Sequence, residues 1–310
     1  MLDQGIDVVA LNFRSLFCQC NRRGRCEAAE VTTKFGIPLH MVVGGDDYLR
    51  MLRNPKHGYG SGMNPCIDCR ILMLMKAKSY ARKIGAKFLF TGEVLGERPM
   101  SQHRKALEII EKEAGLEGKI LRPLSAKLLP PTEAELRGWV NREKLLSIKG
   151  RSRKPQIALA ASLGIYDYPC PAGGCLLTDK EFATKLRDLI NHRRRVRLRD
   201  VALLKVGRHF RLGENKIIIG RDETENKTLL SFDDDRLTYL EVPDCGSPLT
   251  ILQGRPSKKA LLAAARLTAR YSDAKGEKVP VSYRRGAISG ELTVEKMPQE
   301  EISTLRISKT

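Results

Sequence analysis

The eight cysteines are the strongest chemical signal in this chain, and most of them come in groups. They fall as CQCNRRGRC (Cys18, Cys20, Cys26), NPCIDC (Cys66, Cys69) and YPCPAGGC (Cys170, Cys175), with Cys245 alone. The middle group opens GMNPCIDCRILMLMKAKSYARKIG, residues 62–85, which reads as an amphipathic helix. Asn64 suits the N-cap and Pro65 the first helical position, so Cys66 falls near the second position and Cys69 one turn further on. Residues three apart share a helix face. Both sulfurs then sit where unpaired N–H groups and the helix dipole favour thiolate, the form that binds metal or acts as a nucleophile. Cys170 and Cys175 are candidates for a third thiol beside them, because three cysteines can hold an iron–sulfur cluster and leave one iron open to a non-protein ligand. A structural zinc site drawn from the clustered cysteines is the alternative. Cys18, Cys20 and Cys26 stand among Asn21, Arg22, Arg23 and Arg25, and read as a second metal site, a persulfide carrier or a plain loop. Cys245 reads as packing, and His103 as a solvated residue at a helix entry.

Elements must bring these groups together, and the chain has the length for them. Its 310 residues, 42% hydrophobic and 29% charged, are globular in composition and divide into two domains. No apolar run approaches the roughly 20 residues that span a bilayer, and MLDQGIDVVALNF lacks the marks of a secretory signal, so a soluble cytoplasmic protein is expected. Clustered cysteines in such a chain indicate metal or thiol chemistry rather than disulfides. The net charge of +19, with 55 basic against 36 acidic residues, fits a polyanionic partner such as nucleic acid. Part of the excess lies in HRRRVRLR, where Arg193, Arg194, Arg195, Arg197 and Arg199 are candidate RNA contacts; a solvated basic face is the bland alternative.

IDVVALNF reads as a buried strand, CEAAEVTTKFG as a helix ending at Gly36, PLHMVVG as a strand and AKFLFTGE as another. The alternation predicts an α/β domain with a parallel sheet covered by helices on both faces, in which ligands sit beyond the carboxyl ends of the strands. The first strand leads into the CxC group and FLFTGE leads into TGEVLGERPMSQ, so both reach that edge. NREKLLSI and KPQIALAASLG read as helices, and YPCPAGGC as a structured boundary loop. Beyond it, KEFATKLRDLI, two strands about Gly213–Asn215, a helix over 257–272 and the strands KVPVSYRR and AISGELTVE make a smaller α+β domain. The predicted division is 1–168, a cysteine-bearing linker over 169–180, and 181–310.

TGEVLGERPMSQ resembles the TGE-x-LGQ-x-x-SQT region of 4-thiouridine synthases of the ThiI type, through Thr91, Gly92, Glu93, Leu95, Gly96, Ser101 and Gln102. KILRPL is similar to the segment that follows in those enzymes. NPCIDC resembles the NPCxxC of tRNA 2-thiouridylases and the PCxxC of cluster-dependent tRNA thiolases, all built on the Rossmann-like PP-loop ATPase fold (adenine nucleotide alpha hydrolase-like). GRHFRLGENKIIIGRDETENKTL looks like the RNA-binding domain of the NFACT group. The resemblance implies an ATP-dependent tRNA sulfurtransferase: ATP, with Mg2+, adenylates a uracil carbonyl oxygen, and a cysteine persulfide or cluster-bound hydrosulfide attacks that carbon as AMP leaves. By it, Cys66 and Cys69, with Cys170 or Cys175, are ligands of a 4Fe–4S cluster or the persulfide thiols. Gly92 and Gly96 let backbone approach the nucleotide, and Thr91, Glu93, Ser101 and Gln102 make polar contacts there. The implied partners are tRNA and a sulfur donor, either a cysteine desulfurase or free sulfide.

The family's SGGxDS turn, which cradles ATP's pyrophosphate, does not occur in the sequence. The opening MLDQGIDVVALNF corresponds to the segment after it, so this chain is expected to fail at adenylation where an N-terminally extended one succeeds. A non-catalytic RNA-binding protein of the same fold and a structural zinc protein are the competing readings.

Overall fold

The computed structural model describes residues 1–19, 27–166 and 174–307 and divides into two compact units, Met1–Asp179 and Lys180–Thr310. Cys20, Cys26 and Cys170 lie outside the described residues.

In the first unit, β1 (Ala10–Arg14), α1 (Glu27–Lys34) and β2 (Leu39–Val43) form a parallel crossover, with Ala10 opposite Leu39 and Arg14 opposite Val43. Then come α2 (Asp46–Arg53) and the cysteine helix α3 (Cys66–Lys83). Helix formers such as Leu, Met, Lys, Ala and Arg dominate α3, and Ile71, Leu74, Ala77 and Ala81 recur at spacings of three and four to make its buried stripe. Next are β3 (Leu89–Phe90), α4 (Arg104–Ala114) and β4 (Ile120–Leu121). Helix α4 is capped by His103, whose Nδ1 accepts from the Ala106 amide at 3.3 Å; the residue is exposed at the helix entry and also caps it. Ile71 and Leu74 pack with Ile110, Ala114 and Ile120 to form the core beneath β3 and β4. The short α5 (Glu133–Leu136) and α6 (Lys154–Ser162) complete the unit.

The continuous parallel sheet predicted from the sequence is here two parallel pairs, β1–β2 and β3–β4, with no backbone ladder joining them among the described residues. The ladder of β3 with β4 has only two rungs, although Thr91 N bonding Leu121 O at 3.0 Å extends it by one contact. NREKLLSI, predicted helical, is a single 3₁₀ turn over Arg142–Lys144. Its downstream backbone is drawn out along another segment instead, with Leu146 N bonding Pro123 O and Ile148 N bonding Leu124 O.

The second unit carries α7 (Lys180–His192), α8 (Leu198–Leu203), β5 (Arg208–Leu212), β6 (Asn215–Ile219), α9 (Glu223–Leu230), β7 (Thr238–Glu241), β8 (Thr250–Gln253), α10 (Lys258–Arg270), β9 (Lys278–Arg285), β10 (Ile288–Glu295) and α11 (Gln299–Leu305). Its strands form one six-stranded antiparallel sheet in the order β10-β9-β7-β8-β6-β5. A two-residue turn with Gly213 at φ 54° joins β5 to β6, a conformation glycine adopts without strain. One face of the sheet buries Phe210, Ile217 and Ile219 against the alanine-rich α10; Ile218, Tyr239 and Ile251 form the core of the other.

Candidate functional site

Cys66 and Cys69 lie in the first turn of α3, and that turn is held by side chains. Asp68, buried between them in sequence, accepts from the amides of Lys56 (2.9 Å) and His57 (3.0 Å), which fixes the approach to the helix. Met63 N then bonds Leu177 O at 2.8 Å, drawing residues 174–178 to the helix start. Cys175 thereby comes close enough to Cys66 and Cys69 for their charges to act on it, and Tyr48 of α2 feels all three. The Tyr48 hydroxyl stands 3.6 Å from Cys69 Sγ, and that sulfur is 3.8 Å from Met73 Sδ. Cys18 also acts on Cys175. The structure thus gathers Cys66, Cys69 and Cys175 near Tyr48, with Cys18 beside Cys175.

The helix start does not make these sulfurs acidic. Burial pushes the Cys66 and Cys69 thiols up and raises Cys175 to about 11. Desolvation penalises the thiolate more than the local donors favour it. Those donors are specific nonetheless: Arg98 and Arg70 pull Cys66 down, as do hydrogen bonds with Asn64 and Ser101, while Tyr48 does the same for Cys69. The Tyr48 hydroxyl is itself held far above its ordinary value by burial and by the thiols.

Two of those groups come from the TGEVLGERPMSQ loop, which the structure brings to Cys66. Glu93, only 4% exposed, accepts from Arg122 Nε at 3.1 Å and from the Thr91 hydroxyl at 3.2 Å. Its other oxygen lies 3.4 Å from Arg70 Nε. Glu93 therefore connects α3 to the end of β4, and Arg122 is also ion-paired with Glu111. Gln102 closes the loop, accepting from Arg98 N at 3.0 Å while its carbonyl takes the Gly96 amide at 2.7 Å. Gly96 is at φ 79° against the Gly150 backbone, whereas nothing lies within 4 Å of where a Gly92 side chain would begin. Glu93, Ser101 and Gln102 are buried and bonded within the protein; Gly92 borders open space.

A cleft enclosing about 380 Å³ of empty space opens beside the thiols at the carboxyl ends of β1 and β2, bordered by Arg14, Ser15, Gly44, Tyr48, Cys69 and Lys76. Lys76 is paired with Asp47 at 2.6 Å. This is the edge where a parallel crossover presents ligands. A larger cleft of about 620 Å³ between α4 and the 126–135 segment contains no thiol. Among the described residues, no three His, Cys, Asp or Glu side chains form a group that could hold a metal ion.

In the second unit, Arg193, Arg194, Arg195 and Arg197 are exposed around the α7–α8 turn. Arg199 is engaged inside the unit, paired with Asp234 at 2.9 Å and lying over the Phe232 ring. Asp188, partly buried near the end of α7, grips Arg211 through two hydrogen bonds and lies 3.7 Å from Lys216 Nζ, which burial lowers to about 7. Cys245, predicted to pack, is exposed. The sequence reading missed Tyr48, Arg70, Arg98 and Cys18 as members of the thiol site; only the CxC spacing pointed toward Cys18.

No described helix is long and apolar enough to cross a membrane. Residues 1–127 match the family model described as thiamine biosynthesis protein (ThiI), and residues 207–306 match that of the NFACT protein RNA binding domain. The tRNA-specific 2-thiouridylase MnmA of Xanthobacter autotrophicus is 28% identical over 184 residues, covering 54% of this chain and 44% of that protein. This chain thus spans less than half of that relative's length. The C-terminal part of a fibronectin/fibrinogen-binding protein from Streptococcus suis aligns at 14% identity over 77% of this chain and 90% of that one, with a TM-score of 0.30, too slight a likeness to inform fold or function. The chain therefore joins a region similar to ThiI to a region similar to the RNA binding domain of NFACT proteins.

Proposed function

We propose that the protein is of the ATP-dependent tRNA sulfurtransferase type, converting a uridine to thiouridine, with Cys66, Cys69 and Cys175 as its sulfur-handling thiols and with adenylation expected of a chain that also carries the SGGxDS turn. The observation that carries this reading is the contact of the TGEVLGERPMSQ loop with the cysteine helix: Ser101 and Arg98 act on Cys66, in a region that matches the ThiI model. A loop of the kind those enzymes use for nucleotide thus stands at the sulfur.

The oxygen on the uracil carbon is a poor leaving group, and adenylation converts it to AMP. A sulfur nucleophile then attacks that carbon. Burial in this site raises the energy of a bare thiolate or hydrosulfide. Arg70 and Arg98 supply fixed positive charge to offset that penalty where sulfur anion must be held. Glu93 orients Arg70, so its place in the mechanism is to position that guanidinium. Tyr48 and Ser101 are hydrogen-bond donors to sulfur rather than bases. The exposed arginines of the α7–α8 turn supply counter-charge for the phosphates of tRNA.

The described thiols fit a persulfide relay better than a metal centre, since no metal-holding group forms among the described residues. Cys170, the other candidate for a third cluster ligand, lies outside the described residues, and no step is assigned to iron. Nucleoside mass spectrometry of tRNA from cells lacking the gene tests the proposal. One thiouridine should disappear and return with the wild-type gene but not with Cys66→Ser; an unchanged thiouridine complement would overturn it.

A further inference from the structure

Cys18 has no part in the scheme above, yet the backbone sets it directly opposite Cys175. Residues 17–19 and 174–176 run antiparallel, with Leu176 N bonding Phe17 O at 2.8 Å and Gln19 N bonding Gly174 O at 3.2 Å. These two bonds flank the Cys18–Cys175 pair, so neither cysteine bonds the other's backbone. At such positions, antiparallel strands bring Cα atoms to about 4.5 Å and side chains onto one face. That spacing lies within the ~4.4–6.8 Å window a disulfide requires.

The approach is built into the surroundings on both sides. A side chain at Gly174 would begin 2.9 Å from Gln19 Cβ, so glycine is what lets the two segments close. Phe17 is fully buried and stacks on Tyr48 with ring centroids 5.7 Å apart. Leu177 is fully buried and its carbonyl is held by Met63. Both backbones are thus anchored within two residues of the pair, and Cys18 is among the charges that raise Cys175.

We propose that Cys18 is the resolving thiol for sulfur carried on Cys175. When a sulfane-sulfur donor has left Cys175 as a persulfide, deprotonated Cys18 attacks Cys175 Sγ. A Cys18–Cys175 bond forms, the persulfide S–S bond breaks, and its electron pair leaves with the terminal sulfur as hydrosulfide. The sulfane sulfur is reduced to sulfide and the two cysteines are oxidised to a disulfide, with the Cys18 proton released to solvent. The persulfide itself is the oxidant. Hydrosulfide is thereby released at Cys175, near Cys66 and Cys69, and an external dithiol resets the pair. The step rests on the sulfurtransferase reading but can be measured without tRNA.

The full chain, reduced and desalted, is treated anaerobically with inorganic polysulfide, alkylated and digested without reductant. Mass spectrometry should find the Cys18 and Cys175 peptides joined in the wild type. In Cys18→Ser and Cys18→Ala the joined peptide should vanish and Cys175 should carry one extra sulfur. A wild-type bond from Cys175 to Cys66 or Cys69, or no persulfide on Cys175 in either variant, would overturn the proposal. In cells, thiouridine that survives Cys18→Ser but not Cys66→Ser would also remove Cys18 while leaving the sulfurtransferase reading intact.

Discussion

The first unit and the second are held together by different means. In the second, six strands share one ladder and both faces are covered by apolar cores, so backbone hydrogen bonds and burial define the shape. In the first, two short parallel pairs share no ladder among the described residues, and polar side chains span the elements instead: Glu93 from Arg70 to Arg122, Asp68 to the Lys56–His57 backbone, Asp47 to Lys76. A site gathered from separate segments can aim loops and thiols at one point. It also depends on a few ion pairs that a ladder would make dispensable.

The contrast predicts opposite sensitivities. Phe210→Ala, in the sealed core of the second unit, should cost about 3–5 kcal/mol in denaturant unfolding. Leu89→Ala, in the two-rung strand β3, should cost clearly less. Equal losses would erase the distinction. Glu93→Ala should cost the first unit about 3 kcal/mol, because Arg122 is 3% exposed and loses one of its two carboxylates. Cys66 alkylation should also change, since Arg70 is released; stability loss with unaltered alkylation would make Glu93 purely structural.

The second unit has a polar weakness at Lys216, and it sharpens the comparison. Burial lowers this lysine from 10.5 to about 7, and it faces Asp188 and Lys185 on α7 together with Arg211 and His209 on β5. The unfolded chain therefore binds more protons than the folded one between about pH 7 and 10.5. This lysine's contribution to stability should rise with pH across that window, by at most about 1.4 kcal/mol per pH unit, and be flat below it. Lys216→Met should remove that contribution, read as the difference between its pH profile and the wild type's; superimposable profiles would overturn the assignment.

The smallest effect concerns the exposed arginines of the α7–α8 turn. Replacing Arg193, Arg194 and Arg195 with alanine should flatten the log–log salt slope of tRNA binding by roughly 2–3. Arg199→Ala should change that slope less, because its charge is paired with Asp234. Identical salt slopes for the two variants would mean that the run is not the contact surface.

What the sequence revealed follows the same division. Helix α3 was legible because its formers and apolar stripe are local, although it begins at Cys66 with Pro65 rather than Asn64 at the N-cap, and the β5–β6 hairpin because two strands flank Gly213. The association of Cys175 with Cys18 was not, since it depends on backbone pairing across most of the unit. Thiol acidity was misread for a related reason: a helix start is visible in sequence, whereas the burial that outweighs it is not. Nor could Arg199 be told from its neighbours, as Asp234 reaches it from 35 residues away.

Cys245 provides an internal control for the central claim, because it is the exposed thiol among those described and lies in the other unit. Reduced protein loaded with a sulfane-sulfur donor, washed, alkylated and mapped by peptide mass spectrometry shows which thiols hold sulfur. Sulfur on the peptides of Cys66, Cys69 or Cys175, or a disulfide left by its discharge, with Cys245 merely alkylated, is the predicted result. Sulfur on Cys245 alone would contradict a sulfur-handling site at the start of α3.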